Sequence, residues 1–214
     1  MADAATPERR LGRPPDVASA ETHGRLLREA RRAFAVYGFD ATTNKRIAAA
    51  AGITPGAIYH YYPSKADLYV AVYDEVQTVT AAAFDAAVSQ HHTLIAQFGA
   101  VLDAAVELDR DDPSVTGFVL RAAGEARRHP ELRESLRKAR SMGSSFLHGL
   151  AHGAFERGEL APDVSPKALE DLLDAVLSGL ARFSNQTGDA ERHAGAVDVL
   201  QRFLSGTLMK PSTR

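Results

Sequence analysis

The 214-residue chain contains no cysteine. Disulfides, thiolate-bound zinc, iron–sulfur ligation and thiol nucleophiles are therefore excluded. Proline is scarce, at ten residues, and no segment alternates apolar and polar residues for long enough to predict a strand. No apolar run approaches the ~20 residues that span a bilayer. The opening stretch, MADAATPERRLGRPPD, lacks the hydrophobic region of a secretory signal. These absences point to a soluble cytoplasmic protein with no membrane partner.

What is present favours helix. Alanine, the best helix former, occupies 38 positions. With 45% hydrophobic and 24% charged residues, the chain can bury a sizeable core. The fold class expected is all-α, with about nine helices. The net charge of −2 hides an asymmetry: residues 1–65 sum to +4 and residues 66–214 to −6. A basic head on an acidic body suits contact between one end and a polyanion.

Residues 1–21 carry Pro7, Pro14 and Pro15 with Arg9, Arg10 and Arg13, and read as a flexible basic arm. In one reading the arginines meet a polyanion; in the other they belong to a solvated tail. The first helix is expected from about Thr22 to Tyr37, with Gly38 as its stop. Thr42 or Thr43 caps a short second helix through Ile47 to Ala50, ended by Gly52. Thr54 caps a third, with Pro55 in the first helical position, where its missing N–H costs nothing. Pro63 stops it after two turns. Ser64 caps a long fourth helix to about Gln90, and Asp67 approximates a capping box. Further helices are expected near 93–109, 113–128, 130–157, 166–186 and 189–208.

Three short helices with a tight glycine turn between the second and third describe a helix-turn-helix. Small residues opening the third helix (Thr54, Gly56, Ala57) let it approach base edges in a major groove. Lys65 and the N–H groups after Ser64 suit a phosphate.

The run Gly38-Phe39-Asp40-Ala41-Thr42-Thr43, with Ile47-Ala48, Ala51 through Tyr62 and Ser64-Lys65, closely resembles the DNA-binding domain of the TetR/AcrR family of bacterial transcriptional regulators. It departs at Tyr62, where Phe is commoner. The resemblance covers residues 22–70. It implies a ligand-responsive regulator, most simply a repressor, that binds a pseudo-palindromic DNA operator as a homodimer and is released by a small-molecule effector. It implies no catalytic residue, metal or cofactor. Thr43, Tyr61 and Lys65 become phosphate contacts, and Thr54, Pro55, Gly56, Ala57 and His60 the groove-facing surface. Tyr59 falls where backbone contact and packing combine. The implied domains are the arm, a DNA-binding head at 22–67 and a ligand-binding and dimerisation body at 68–214.

In the body, Phe98, Leu102, Phe118, Phe146, Leu150 and Phe155 are candidates to line a ligand pocket, ordinary core packing being the alternative. Arg121, set in an apolar stretch, either receives an anionic group of the ligand or faces solvent. The last two helices are apolar over arcs too broad for one partner. Ala175, Gly179, Phe183, Val199 and Phe203 are the expected dimer interface, a single thick core being the alternative. His148 and His152, four apart, have the spacing of metal ligands, but no third ligand can be placed. A helical metal-dependent hydrolase, or a bundle that binds only protein, are the competing classes.

Overall fold

The computed structural model describes the backbone of residues 15–209, with side chains throughout except at 15–18 and 138–144. Nine helices carry the described residues: α1 Pro15–Ala41, α2 Asn44–Ala51, α3 Pro55–Tyr61, α4 Lys65–Val88, α5 Leu94–Asp111, α6 Ser114–Arg128, α7 Pro130–Glu156, α8 Pro166–Thr187 and α9 Ala190–Leu204. The chain is all-α, as its alanine content and missing strand periodicity predict.

Side-chain caps fix the starts of these helices. Thr43, Thr54, Ser64, Thr93, Ser165 and Asp189 each accept a backbone N–H from the first turn of the helix that follows, satisfying donors without an intrahelical partner. Ser64 also donates its hydroxyl to the Asp67 carboxylate at 2.7 Å, a side-chain link between the two residues of the near capping box expected from sequence.

Two boundaries require correction. The first helix starts at Pro15, so residues 15–21 belong to α1 and not to an arm; Arg9, Arg10 and Arg13 lie outside the described residues. The last helix ends at Leu204, four residues short of expectation. Gly38 does break α1: its φ of 76° is left-handed, and a short turn through Ala41 follows. A Cβ there would also lie 2.8 Å from Glu125 Oε1, so only glycine fits on both counts.

The apolar residues form two cores. The first joins Phe34, Phe39, Ile47, Ile58, Leu68 and Tyr69 to Val115, Phe118, Leu132 and Leu136. It therefore crosses the expected head–body boundary at 67/68. Tyr69 is its hub, with ring centroids 4.8 Å from Phe34 and from Phe118 and 5.5 Å from Phe39. Burial, helped by the nearby Glu125 carboxylate, pushes its phenol well above the ordinary value. The second core, further along the body, gathers Phe98, Val101, Leu102, Leu147, Leu150, Leu173 and Val197.

Candidate nucleic-acid interface

Burial of one face sets the crossing of α2 and α3. Ile47, Ala48, Ala51 and Ile58 are fully enclosed. Gly52 turns the chain with φ 65°, and the Ile53 N–H reaches back to the Ala48 carbonyl at 3.0 Å. Arg25 Nε donates to the Ala51 carbonyl at 2.6 Å, tying α1 to the end of α2.

The opposite face of α3 is bare. Thr54, Pro55, Gly56, Tyr59 and His60 are exposed and Ala57 is half-buried; Tyr59 retains 56% of its accessible surface. A seven-residue helix with small residues at its start and a tyrosine and a histidine one turn on can enter a major groove. Thr43 is exposed at the start of α2, although its hydroxyl oxygen already accepts the Arg46 N–H at 3.2 Å.

Tyr61 and Tyr62 are half-buried and anchor α3 to α1. The Tyr62 hydroxyl meets His23 Nε2 at 2.7 Å, and the Tyr61 hydroxyl meets Ser19 Oγ at 3.4 Å. The His23 ring lies 5.3 Å from Tyr61 and 5.8 Å from Tyr62, between centroids. Tyr61 thus combines packing with an engaged hydroxyl.

Lys65 differs from expectation. Its ammonium donates to the carbonyls of Phe39, Thr42 and Asp40 at 2.7, 3.1 and 3.4 Å and sits 4.3 Å above the Phe39 ring. All three protons have carbonyl acceptors on the turn after Gly38, so the side chain fastens α4 to that turn. The sequence does not reveal this, because its partners are main-chain atoms more than twenty positions away.

Two cations that sequence reasoning missed stand beside Thr43. Lys45 and Arg46 are exposed on the first turn of α2. The signal available was a basic pair directly after a capping threonine.

The body grips the head through α6. Arg31, 5% exposed, donates to Ser114 Oγ at 3.1 Å and to Glu75 and Asp112 at 2.9 Å each. Burial raises the Asp112 pKa, but hydrogen bonds from Ser114 and Arg31 more than offset this and hold it below the usual carboxylate value. At the other end of α6, the Glu125 carboxylate accepts the Phe39 N–H at 3.2 Å and pairs with Arg128 at 3.0 Å.

The proposed pocket residues do not form one site. Phe98, Leu102 and Leu150 are buried in the second core, with Phe146 packed against it. Phe118 belongs to the first core, and Phe155 is 55% exposed. Arg121 is exposed and donates to the Val36 carbonyl at 3.3 Å. It lies at the α1–α6 seam, away from the second core, because the two apolar stretches of α5 and α6 face different cores.

A buried polar group went unforeseen. Ser184 donates to Asp109, and His193 Nδ1 lies 3.5 Å from the same carboxylate. His193 also lines a cavity of about 40 Å³ with Leu102, Thr116, Leu177, Leu180 and Val197.

Along α8 and α9, Ala175, Gly179, Val199 and Phe203 are exposed and Phe183 is half-buried. Leu172, Val199 and Phe203 retain 58%, 50% and 65% of their surface. His148 and His152 adjoin each other, with ring centroids 4.0 Å apart, and His148 Nδ1 meets Glu170 at 3.3 Å. Among the described residues no group of three or more His, Cys, Asp or Glu is placed to hold a metal ion. No helix among them is long and apolar enough to cross a membrane.

A capped helix-turn-helix with a bare recognition helix, set on an all-helical body, defines a DNA-binding transcriptional regulator. Comparison with known proteins points the same way. Residues 26–72 match the pattern described as bacterial regulatory proteins, tetR family. UidR, an HTH-type transcriptional regulator of Escherichia coli strain K12, is 25% identical over 191 residues, covering 87% of this chain and 93% of that protein. The structure of Salmonella enterica GusR superposes with a TM-score of 0.69 at 27% identity, over 94% of this chain and 99% of GusR. FadR from Bacillus subtilis, solved with stearoyl-CoA, has the same fold: TM-score 0.75 at 15% identity, over 87% of this chain and all of that one. Residues 26–72 thus form a DNA-binding domain of the tetR type, and over most of its length the chain is similar to transcriptional regulators with this fold.

Proposed function

We propose that the protein is a homodimeric repressor whose two heads enter successive major grooves of a pseudo-palindromic operator. In this reading Thr54, Pro55, Gly56, Ala57 and His60 face the bases, while Thr43, Tyr59 and Tyr61 meet the backbone. Lys65 contributes indirectly, by holding the turn before Thr43.

The observation that carries the dimer is the apolar stripe on α8 and α9. A leucine, a valine and a phenylalanine at least half exposed, with exposed Ala175 and a Gly179 that has open space above it, form an uncovered hydrophobic face. Such a face suits a self-complementary four-helix contact between two copies.

Effector control rests on the grip of α6 on α1. A small molecule entering the second core would have to part α5, α8 and α9, because the cavity there holds little more than a water. That FadR, a protein of this fold, was solved in complex with stearoyl-CoA supports an effector of largely apolar character. A mostly apolar effector fits the lining here, and the Asp109–Ser184–His193 group is a better polar anchor than Arg121. Its release of DNA follows if it prefers a body whose α6 sets the heads at a spacing the operator does not match.

The test is sedimentation of the protein alone and with duplexes carrying one or two half-sites. A dimer that needs both half-sites for tight binding supports the reading. A monomer that binds one half-site equally well contradicts it.

A further inference from the structure

The guanidinium of Arg46 lies over the ring of Tyr37, with its central carbon 4.0 Å from the ring centroid. Tyr37 is the last residue of α1 before the Gly38 break, and Arg46 is on the first turn of α2. Both are exposed, Tyr37 by 48%. Among the described residues, no carboxylate pairs with Arg46. The ring beneath this unpaired arginine, in a basic head, keeps about half of its surface open.

Stacking changes what such an arginine can do. A free arginine side chain loses rotamer entropy when immobilised. A ring beneath its planar face restrains it beforehand and leaves the N–H groups at the edge free to donate. Phosphate is the group that a planar, forked donor edge fits. The position is suitable, since Thr43 and Lys45 expose their side chains on the same end of α2, where the positive end of the helix dipole also favours an anion. The closest acidic residue in sequence, Asp40, has its carboxylate 3.3 Å from His129.

We propose that Arg46 grips a backbone phosphate of the duplex and that Tyr37 is its positioning residue, making no DNA contact itself. This rests on the head being the DNA-binding element. The grip is indifferent to base sequence, so it sets affinity and salt dependence while α3 sets specificity.

The experiment uses the full-length protein, its Tyr37 and Arg46 variants and a mixed-sequence 30-base-pair duplex, with affinity followed against salt and melting temperature measured for each. Arg46→Gln should weaken binding roughly tenfold at low salt and reduce the salt slope by about one per subunit. Tyr37→Ala should weaken it roughly two- to fivefold, Tyr37→Phe should restore it, and Tyr37→Ala should add nothing once Arg46→Gln is in place. Wild-type affinity and slope in Arg46→Gln overturn the phosphate grip. An equal Tyr37→Ala effect in both backgrounds, tracking a lower melting temperature, reduces the pair to a structural staple. Failure of the wild-type protein to bind any duplex overturns the DNA-binding reading together with this one.

Discussion

The backbone N–H of Phe39, in the head, donates to Glu125 Oε1, in the body, across 3.2 Å. Glu125 is 2% exposed, and Arg128 compensates its charge at 3.0 Å. Arg31 of α1, bonded to Ser114 at the start of α6, and Glu125 near the end of α6 thus lock α6 along α1. A displacement of α6 must carry the turn that leads into α2.

This lock makes Gly38 a sensitive position. Gly38→Ala places a side chain at φ 76°, 2.8 Å from Glu125 Oε1. Stability should fall by more than ~1 kcal/mol in denaturant titration, since alanine is incompatible with the native backbone there. Glu125→Ala, which leaves the Phe39 N–H and Arg128 without their acceptor, should cost about 2–3 kcal/mol, and Glu125→Gln clearly less.

The Arg31–Asp112 contact sets a pH dependence. The folded pKa of Asp112 is depressed, so its contribution is fully present above the unfolded value of about 3.9. It is lost as pH falls through the lower folded value. Asp112→Asn should destabilise the protein at neutral pH and narrow its difference from wild type under acid. Thermal melts from pH 7 to pH 3 measure this.

Lys65→Met should act on folding before DNA. Three carbonyls lose a charged donor, and a loss of about 1–3 kcal/mol is expected. A lower melting temperature without DNA, with weaker binding to all duplexes, is the predicted pair of results. Weaker binding at unchanged stability would return Lys65 to a direct phosphate contact.

Gly179 offers a clean test of the dimer. A Cβ there meets nothing within 4 Å, so Gly179→Leu has room within one chain. At a two-fold interface it would separate the helices on both subunits. Sedimentation should show more monomer at unchanged helicity. Operator affinity should fall by a factor within roughly 10²–10⁴, the gain that linking two heads provides.

Much of this was legible in the sequence because it is local. The Thr43, Thr54, Ser64 and Ser165 caps, the Gly38 and Gly52 breaks and the alanine-rich helices depend on neighbours within a few residues. The bare face of α3 followed from the same spacing. What escaped depends on contacts remote in sequence. Lys65 looked like a free cation until its carbonyl partners on the Gly38–Thr42 turn were placed. Phe118 looked like a neighbour of Phe98 until α6 turned it to the other core, and Asp109, Ser184 and His193 come together from three helices.

The most direct test is selection of bound duplexes from a fragmented bacterial genome, with wild-type protein and His60→Ala in parallel. Wild type should enrich a pseudo-palindrome whose half-sites are about one helical turn apart. His60→Ala should relax preference at one base position per half-site, by ~1–3 kcal/mol. Enrichment of no sequence above random duplex, or the same preferences with and without His60, would contradict the account.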